Sequence, residues 1–373
     1  MPFSIPKPKK KQEAPAPQNV PLSTPATQQS QKAFPSGPNA APNLITRQQK
    51  FGFRGPDTTK RTKENDQDQK VNVGKFEREI LKGNLLWTRK RLEAAKNFLH
   101  EKEGEWLIDW TDYRTSNMVI NDNMVPREPP THKSMQRGVH DIERVRKVLQ
   151  RTVGQWEACR MRADLIKLTR DFATKMPKVN KIVCFGLGSF SRQYGSCYCE
   201  KSVVNNEMML QHLTALTIAE TLEEVYVDKA ISDHRIAIIL QDPEYTDIDV
   251  PLFSELSDRF SIVEDPDGFL VIDQNTFVIH FCCPVPIYEI VADLTAAGEC
   301  GKGPAGVLGN EMIVKGPAEW ASAIDWETPR VLKFLKNYEM RDFDDFKLTE
   351  EEITALWGTF PWFWLSQIYF RKN

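Results

Sequence analysis

The sequence predicts an α/β domain, a mostly parallel β-sheet with helices on both faces, preceded by further helices and a disordered N-terminal tail. Three observations lead there. Between residues 181 and 310, short apolar runs alternate with longer stretches whose apolar residues recur every three or four positions. These are the periods of strand and helix in turn. Several strand runs, Ile236-Ala237-Ile238-Ile239-Leu240 above all, are apolar throughout, as expected when both sheet faces are covered. The first run, Lys181 to Phe185, ends in Gly186-Leu187-Gly188-Ser189. Such glycines let a strand turn tightly into a ligand-facing loop. Together these describe a Rossmann-like, doubly wound sheet.

The chain has 373 residues, 40% of them hydrophobic, enough for a sizeable core. Its net charge of -2 hides a split. Residues 1–70 carry 12 Lys+Arg against 5 Asp+Glu, which leaves 37 against 46 for the remainder. A basic tail therefore precedes an acidic body, and an acidic body argues against a nucleic-acid-binding core. No run of transmembrane length and no secretory signal stands in the sequence. The seven cysteines are an odd count without framework spacing, as in a reducing compartment. The expected location is the cytoplasm, and the nucleus if the basic tail is an import signal.

Three regions are expected: a tail over 1–70, a helical extension and loop over 71–139, and the α/β domain over 140–373. Ten of the 24 prolines lie at or before Pro42, among Gln, Ser and Ala, so the tail cannot bury enough apolar surface to offset ordering entropy. Within it, Pro6-Lys7-Pro8-Lys9-Lys10-Lys11 is a solvated charge run by default, and a short import signal as the alternative. From Val71 to Trp106, Phe76, Ile80, Leu81, Leu85 and Leu92 predict helix, with a break at Gly83-Asn84. Residues 110–133 predict a loop.

Asp141 is a candidate N-cap. The stripe Ile142, Val145, Leu149, Val153, Trp156, Leu165, Leu168 and Phe172 then predicts a core-facing helix that Pro177 stops. After the first strand and its glycine loop, a helix is expected over Glu207–Glu224, a strand over 236–240 ending at Asp242-Pro243, and a helix over Ile248–Leu256. A strand at 260–263 follows. Asp267-Gly268 predicts a hairpin or short strand pair. Thr276–Phe281 is a strand ending at Cys282-Cys283-Pro284, then come a helix at Ile287–Leu294 and a strand at Val307–Asn310. Helices at Pro329–Tyr338 and Thr349–Trp357 and an aromatic closing strand within 360–370 complete the chain.

In a doubly wound sheet, ligands bind outside the carboxyl ends of the strands. The candidate ligand-binding residues are accordingly those of four strand ends: Gly186, Gly188 and Ser189, then Asp242, then Cys282 and Cys283, then Asn310. Each has an ordinary alternative. The glycines suit a tight turn without a ligand. Asp-Pro is a common turn starter. Buried inert thiols are the default for cysteine. The dinucleotide fingerprint is absent, because Ser191 stands where a third glycine belongs and the first strand-end acid is more than 50 residues on. Cys197-x-Cys199 and Cys282-Cys283 do not have the spacing of structural zinc pairs. His280 lies on an apolar strand, where a core histidine is the rule. Catalytic residues cannot be named from these patterns.

The strand ends carry a resemblance as well. Phe185-Gly186-Leu187-Gly188-Ser189, Gln211-His212-Leu213, Asp242-Pro243, Cys283-Pro284 with Tyr288, and Gly309-Asn310 occur in that order. The chain resembles the "sensitivity to red light reduced" (SRR-like) domain family over about residues 140–315. It departs from that pattern at Phe281-Cys282, where the family has Pro-His, and at His212, which follows Gln211 in place of an aliphatic residue. The resemblance implies a Rossmann-like fold and an intracellular regulator, linked to light and clock signalling, cytoskeleton-related processes or heme metabolism. It implies no established reaction. The expected function is regulation through protein partners and a small ligand at the rim. The alternative is a Rossmann-type enzyme resembling S-adenosylmethionine-dependent methyltransferases, which share the Gly-x-Gly loop and the acid after the second strand. S-adenosylmethionine and heme are the candidate cofactors. Nucleic-acid binding through the tail is the weakest option.

Overall fold

The structure is a computed structural model. It describes residue 82 and residues 84–101, 107–108, 126–127, 140–192, 206–231, 234–281, 283, 285–310, 328–342 and 366–373. The chain divides into two units, Met1–Lys60 and Arg61–Asn373, and all described residues belong to the second. The expected tail, most of the 110–133 loop, the Thr349–Trp357 helix, Cys197, Cys199 and Cys282 lie outside the described residues.

The elements run α1 (Arg89–Glu101), β1 (Leu107–Ile108), β2 (Pro126–Arg127), α2 (Ile142–Ala158), α3 (Arg160–Ala173), β3 (Lys181–Phe185), α4 (Asn206–Asp228), β4 (Ala237–Gln241), α5 (Asp249–Leu256) and β5 (Phe260–Ile262). They continue with α6 (Asp267–Leu270), β6 (Thr276–His280), α7 (Ile287–Ala296), β7 (Gly306–Asn310), α8 (Pro329–Leu335), β8 (Tyr338–Asp342) and β9 (Ser366–Arg371). β1 and β2 form a small antiparallel pair. The other seven strands form one sheet in the order β5-β4-β3-β6-β7-β9-β8. From β5 to β7 every pairing is parallel, whereas β9 runs antiparallel to both of its neighbours. The expected fold class is therefore observed.

β3 is the oldest strand of this parallel set in chain order and lies at its centre. Each of its residues is in register on both sides, Lys181 with Ala237 and Thr276, Phe185 with Gln241 and His280. Successive side chains of a strand point to opposite faces, and β3 accordingly serves two cores. Ile182 and Cys184 pack with Val145, Leu149, Trp156, Leu165, Phe172 and the apolar residues of α4 and α5. Val183 and Phe185 pack with Leu86, Trp87, Leu92, Phe269 and the apolar residues of α7 and α8. Three rings join helix and sheet in the first core: Phe172 of α3 stacks against Phe277 of β6 and Phe370 of β9 at 6.2 and 5.4 Å.

Asp141 caps α2, accepting hydrogen bonds from the N–H groups of Glu143 and Arg144 at 3.0 and 3.2 Å. The single stripe expected from 142 to 172 is two helices. Cys159 breaks it with an extended backbone at φ -83 and ψ 144, and its thiol caps α3 by accepting from Arg162 N–H at 3.3 Å. The apolar spacing passes through the break unchanged, so periodicity could not show it. The hairpin expected at Asp267-Gly268 is instead the short helix α6. Gly268 N–H donates to Gln241 Oε1 at 2.6 Å, and Phe269 stacks on Phe185 at 4.2 Å. These contacts pull the segment onto the sheet face, where no antiparallel partner is available. The helix expected to run to Tyr338 stops at Leu335, because Tyr338 begins β8.

The segment before α1 belongs to the second core. Leu86, Trp87 and Leu92 are buried. Asp293 of α7, itself fully buried, accepts from Leu86 N–H at 2.8 Å and Trp87 N–H at 2.9 Å and is ion-paired with Arg330 of α8. Burial pushes the Asp293 carboxyl up from the usual carboxylate range, and Arg330 together with the two N–H groups opposes that. Arg89 adds hydrogen bonds to the carbonyls of Leu270, Ile272 and Glu299. Trp87→Ala should destabilise the protein by about 3–5 kcal/mol, measured by urea unfolding. A chain starting at residue 140 should lose cooperative unfolding.

Candidate functional site

The strand order places the topological switch point between β3 and β6. The chain leaves β3 through α4 toward β4, and leaves β6 through α7 toward β7. A crevice forms where adjacent connections diverge in this way. β4, β3, β6 and β7 are parallel neighbours, so their carboxyl ends meet on one rim. Gly186, Asp242 and Asn310 are half-buried there, whereas Gly188, Ser189 and Cys283 are buried.

The loop after β3 is shaped by two glycines in the left-handed region, Gly186 at φ 63 and Gly188 at φ 77. Position 186 also lacks room, since a Cβ there would sit 2.7 Å from Cys283 Sγ. Cys283 therefore packs over the backbone of the glycine loop across the switch point, and the two strand ends are in direct contact.

Asp242 holds the same loop from the other side. Its carboxylate accepts from Gly188 N–H at 2.7 Å and from Glu244 N–H at 2.8 Å. Desolvation pushes its pKa up to about 6 against the two N–H groups, which lower it. Ser189 faces inward. Its hydroxyl donates to Asp249 Oδ2 at 2.6 Å. Asp249, fully buried in the first turn of α5, also accepts from Ser191 N–H at 3.0 Å and from Thr246 N–H at 2.7 Å. Sequence reasoning did not find Asp249, Thr246 or Ser191 as loop anchors. The cluster Thr246-Asp247-Ile248-Asp249 at a helix start was the available signal.

On the β6–β7 side, His280 is fully buried with its ring edge-on to Tyr288 at 4.8 Å. Burial lowers its pKa to about 3, so the ring is neutral at physiological pH. Tyr288 O–H donates to the Asn310 carbonyl at 3.1 Å. A Cβ at Gly309 would collide with His280 and lie 2.7 Å from the Tyr288 hydroxyl. The His280 ring therefore packs against Gly309 and Tyr288. His212 is buried as well, between the Met208 carbonyl at 2.7 Å and the Tyr245 hydroxyl at 2.9 Å, with a pKa lowered to about 4 by desolvation. Gln211, its neighbour in the second turn of α4, has a buried Oε1 without a hydrogen-bond partner among the described residues.

For heme these residues fit poorly. His280 is locked behind Gly309, and the Cys283 thiol is packed on Gly186. Gly186, Asp242 and Asn310 are partly exposed at the switch point, and the buried Gln211 oxygen has no hydrogen-bond partner among the described residues. Among the described residues no group of three or more His, Cys, Asp or Glu could hold a metal ion.

A family model, the SRR1 domain, matches residues 145–361. The chain belongs to the SRR1 domain family. No curated protein matches it. The SRR1 match takes in the glycine loop, Asp242, Cys283 and Asn310. It begins inside α2 and ends before β9, although α1 and β9 both pack into the cores of the SRR1 sheet.

Gly186→Ala should destabilise by about 1–3 kcal/mol through strain at positive φ and overlap with Cys283. Cys283→Ala in the same chain should restore part of this, as measured by a double-mutant cycle in urea. For Asp242 the folded pKa lies above the unfolded one. Its ionisation therefore disfavours the folded state: the stability contributed by the protonated carboxyl is full below about 3.8 and lost as pH rises through about 6. Asp242→Asn should stabilise the protein at pH 7.5, on the order of 1–3 kcal/mol, and leave it nearly unchanged at pH 4. Thermal unfolding at the two pH values checks this.

Proposed function

We propose that this SRR1-domain protein is an intracellular regulator that acts through protein partners and a small ligand held at the switch point between β3 and β6. The observation that carries this reading is the reversal of strand order beside two left-handed glycines, with Gly186, Asp242 and Asn310 half-exposed on one rim. No described helix is long and apolar enough to cross a membrane, and residence in the cytoplasm, or in the nucleus through the basic tail, is part of the proposal. Partner binding is supported by the family's regulatory associations.

A second reading is favoured by one further observation. β9 is inserted antiparallel between β7 and β8. Counted from β3, the order is 3-2-1-4-5-7-6, a doubly wound arrangement of the Rossmann-like kind that the methyltransferase-like alternative also expects. This is an analogy of fold, and a fold hosts many functions. It supports a nucleoside-type ligand under both readings and leaves open whether the ligand is consumed.

The test is a thermal-shift panel on the full chain with S-adenosylmethionine, adenosine, ATP, NAD and hemin. A ligand at about 100 times its Kd adds about 2.7 kcal/mol and should raise the midpoint by about 5 °C. The expected result is such a shift, lost in Asp242→Ala with its fold verified by circular dichroism. A ligand recovered unchanged after incubation supports the regulatory reading, and conversion of S-adenosylmethionine to S-adenosylhomocysteine supports the enzyme. A flat panel overturns the ligand and leaves partner binding alone.

A further inference from the structure

We infer that the switch-point site rejects phosphate-bearing ligands and takes a neutral or cationic one, with Asp242 as the residue that sets this preference. The inference rests on the ligand-binding reading above and names the chemical class that the same site accepts.

A glycine loop after the first strand usually offers free N–H groups to a phosphate, backed by a helix N-terminus or a cation. In this protein four of the loop's N–H groups are taken by its own acceptors. Gly186 N–H donates to the Gln241 carbonyl at 3.1 Å. Gly188 N–H donates to Asp242 Oδ2 at 2.7 Å. Ser191 N–H donates to Asp249 Oδ1 at 3.0 Å, and Arg192 N–H to Ser189 Oγ at 3.0 Å. Two of the four acceptors are carboxylates, so the place an anion would fill is already held by anions.

The charges around the rim point the same way. The segments leaving β4 and β5 carry Asp242, Glu244, Asp249, Glu264, Asp265 and Asp267. The described cations on those segments' contacts are engaged: Arg192 with Glu244 at 3.5 Å, and Lys96 with Asp267 at 2.6 Å. On the other side of the switch point, buried His280 is neutral and adds no positive charge. A phosphate entering here would meet the Asp242 carboxylate on Gly188 N–H, and the described cations on these segments, Arg192 and Lys96, already face carboxylates of their own. A ligand with a sulfonium, an amine or sugar hydroxyls would instead donate to or be attracted by Asp242. The buried Gln211 oxygen in α4, the helix fed by this loop, is an acceptor without a hydrogen-bond partner among the described residues.

Adenosine and ATP share base and sugar and differ in the phosphates, so the ratio of their affinities isolates the effect. We would titrate the full chain with adenosine, S-adenosylmethionine and ATP by calorimetry at low salt, in the native form and as Asp242→Asn. The Asn side-chain oxygen can still accept from Gly188 N–H, so the loop should be kept. The native protein should bind adenosine or S-adenosylmethionine at least about 30-fold more tightly than ATP. One removed charge near the site should narrow that ratio by about tenfold. ATP binding as tightly as adenosine would overturn the inference and leave the ligand reading standing. A ratio unchanged in Asp242→Asn would overturn the role given to Asp242. Binding of none of the three would remove the nucleoside ligand itself, and this inference with it.

Discussion

The rest of the structure depends on the double ladder of β3. Five residues pair in register with β4 on one side and β6 on the other, which buries both faces of the strand at once. Ile182 and Cys184 are thereby committed to one core and Val183 and Phe185 to the other. A one-residue slip would exchange these sets and place the bulk of Phe185 where Cys184 packs. The same register fixes where the strand ends. Phe185 ends the ladder level with Gln241 and His280, and the close approach of Gly186 to Cys283 follows from that alignment.

From this constraint the rim is built by acceptors. Asp242 is carried to Gly188 because β4 is the parallel neighbour of β3 and ends one residue before it. Asp249 reaches Ser189 and Ser191 because α5 begins a few residues later and packs on the same side through Leu252 and Phe253. A buried carboxylate is tolerated only when N–H and O–H groups surround it, and the donors near Asp249 are those of the turning loop. The loop and the acids therefore stabilise each other. The opposite edge uses packing instead: His280 and Tyr288 close over Gly309.

Much of this was legible in the sequence because it is periodic. The apolar runs at 181, 236, 276 and 307 gave strands within a residue or two of those observed, and Asp141 was visible as a cap. What was not legible is long-range or polar. β8, Tyr338-Glu339-Met340-Arg341-Asp342, has no strand-like apolar pattern and exists because β9 offers it an edge. β9 was expected only as a closing strand, and nothing local shows that it inserts antiparallel beside β7. The docking of Leu86 and Trp87 by Asp293 spans more than 200 residues. The Asp249 anchor is a single buried acid whose partners lie some 60 residues away.

That last gap bears on function. From sequence, Gly186-Leu187-Gly188-Ser189 suggests a cradle for a phosphate or a carboxylate, because only the glycines and the following hydroxyl are visible. The structure shows Gly188 N–H directed at Asp242, Ser191 N–H at Asp249, and the Ser189 hydroxyl turned into the core. The glycines are still required, for left-handed backbone and for the approach of Cys283, but these requirements are internal to the fold. A glycine motif and an anion site are thus separable. Whether N–H groups face a ligand is decided by what the neighbouring strand brings to them, and here β4 brings a carboxylate.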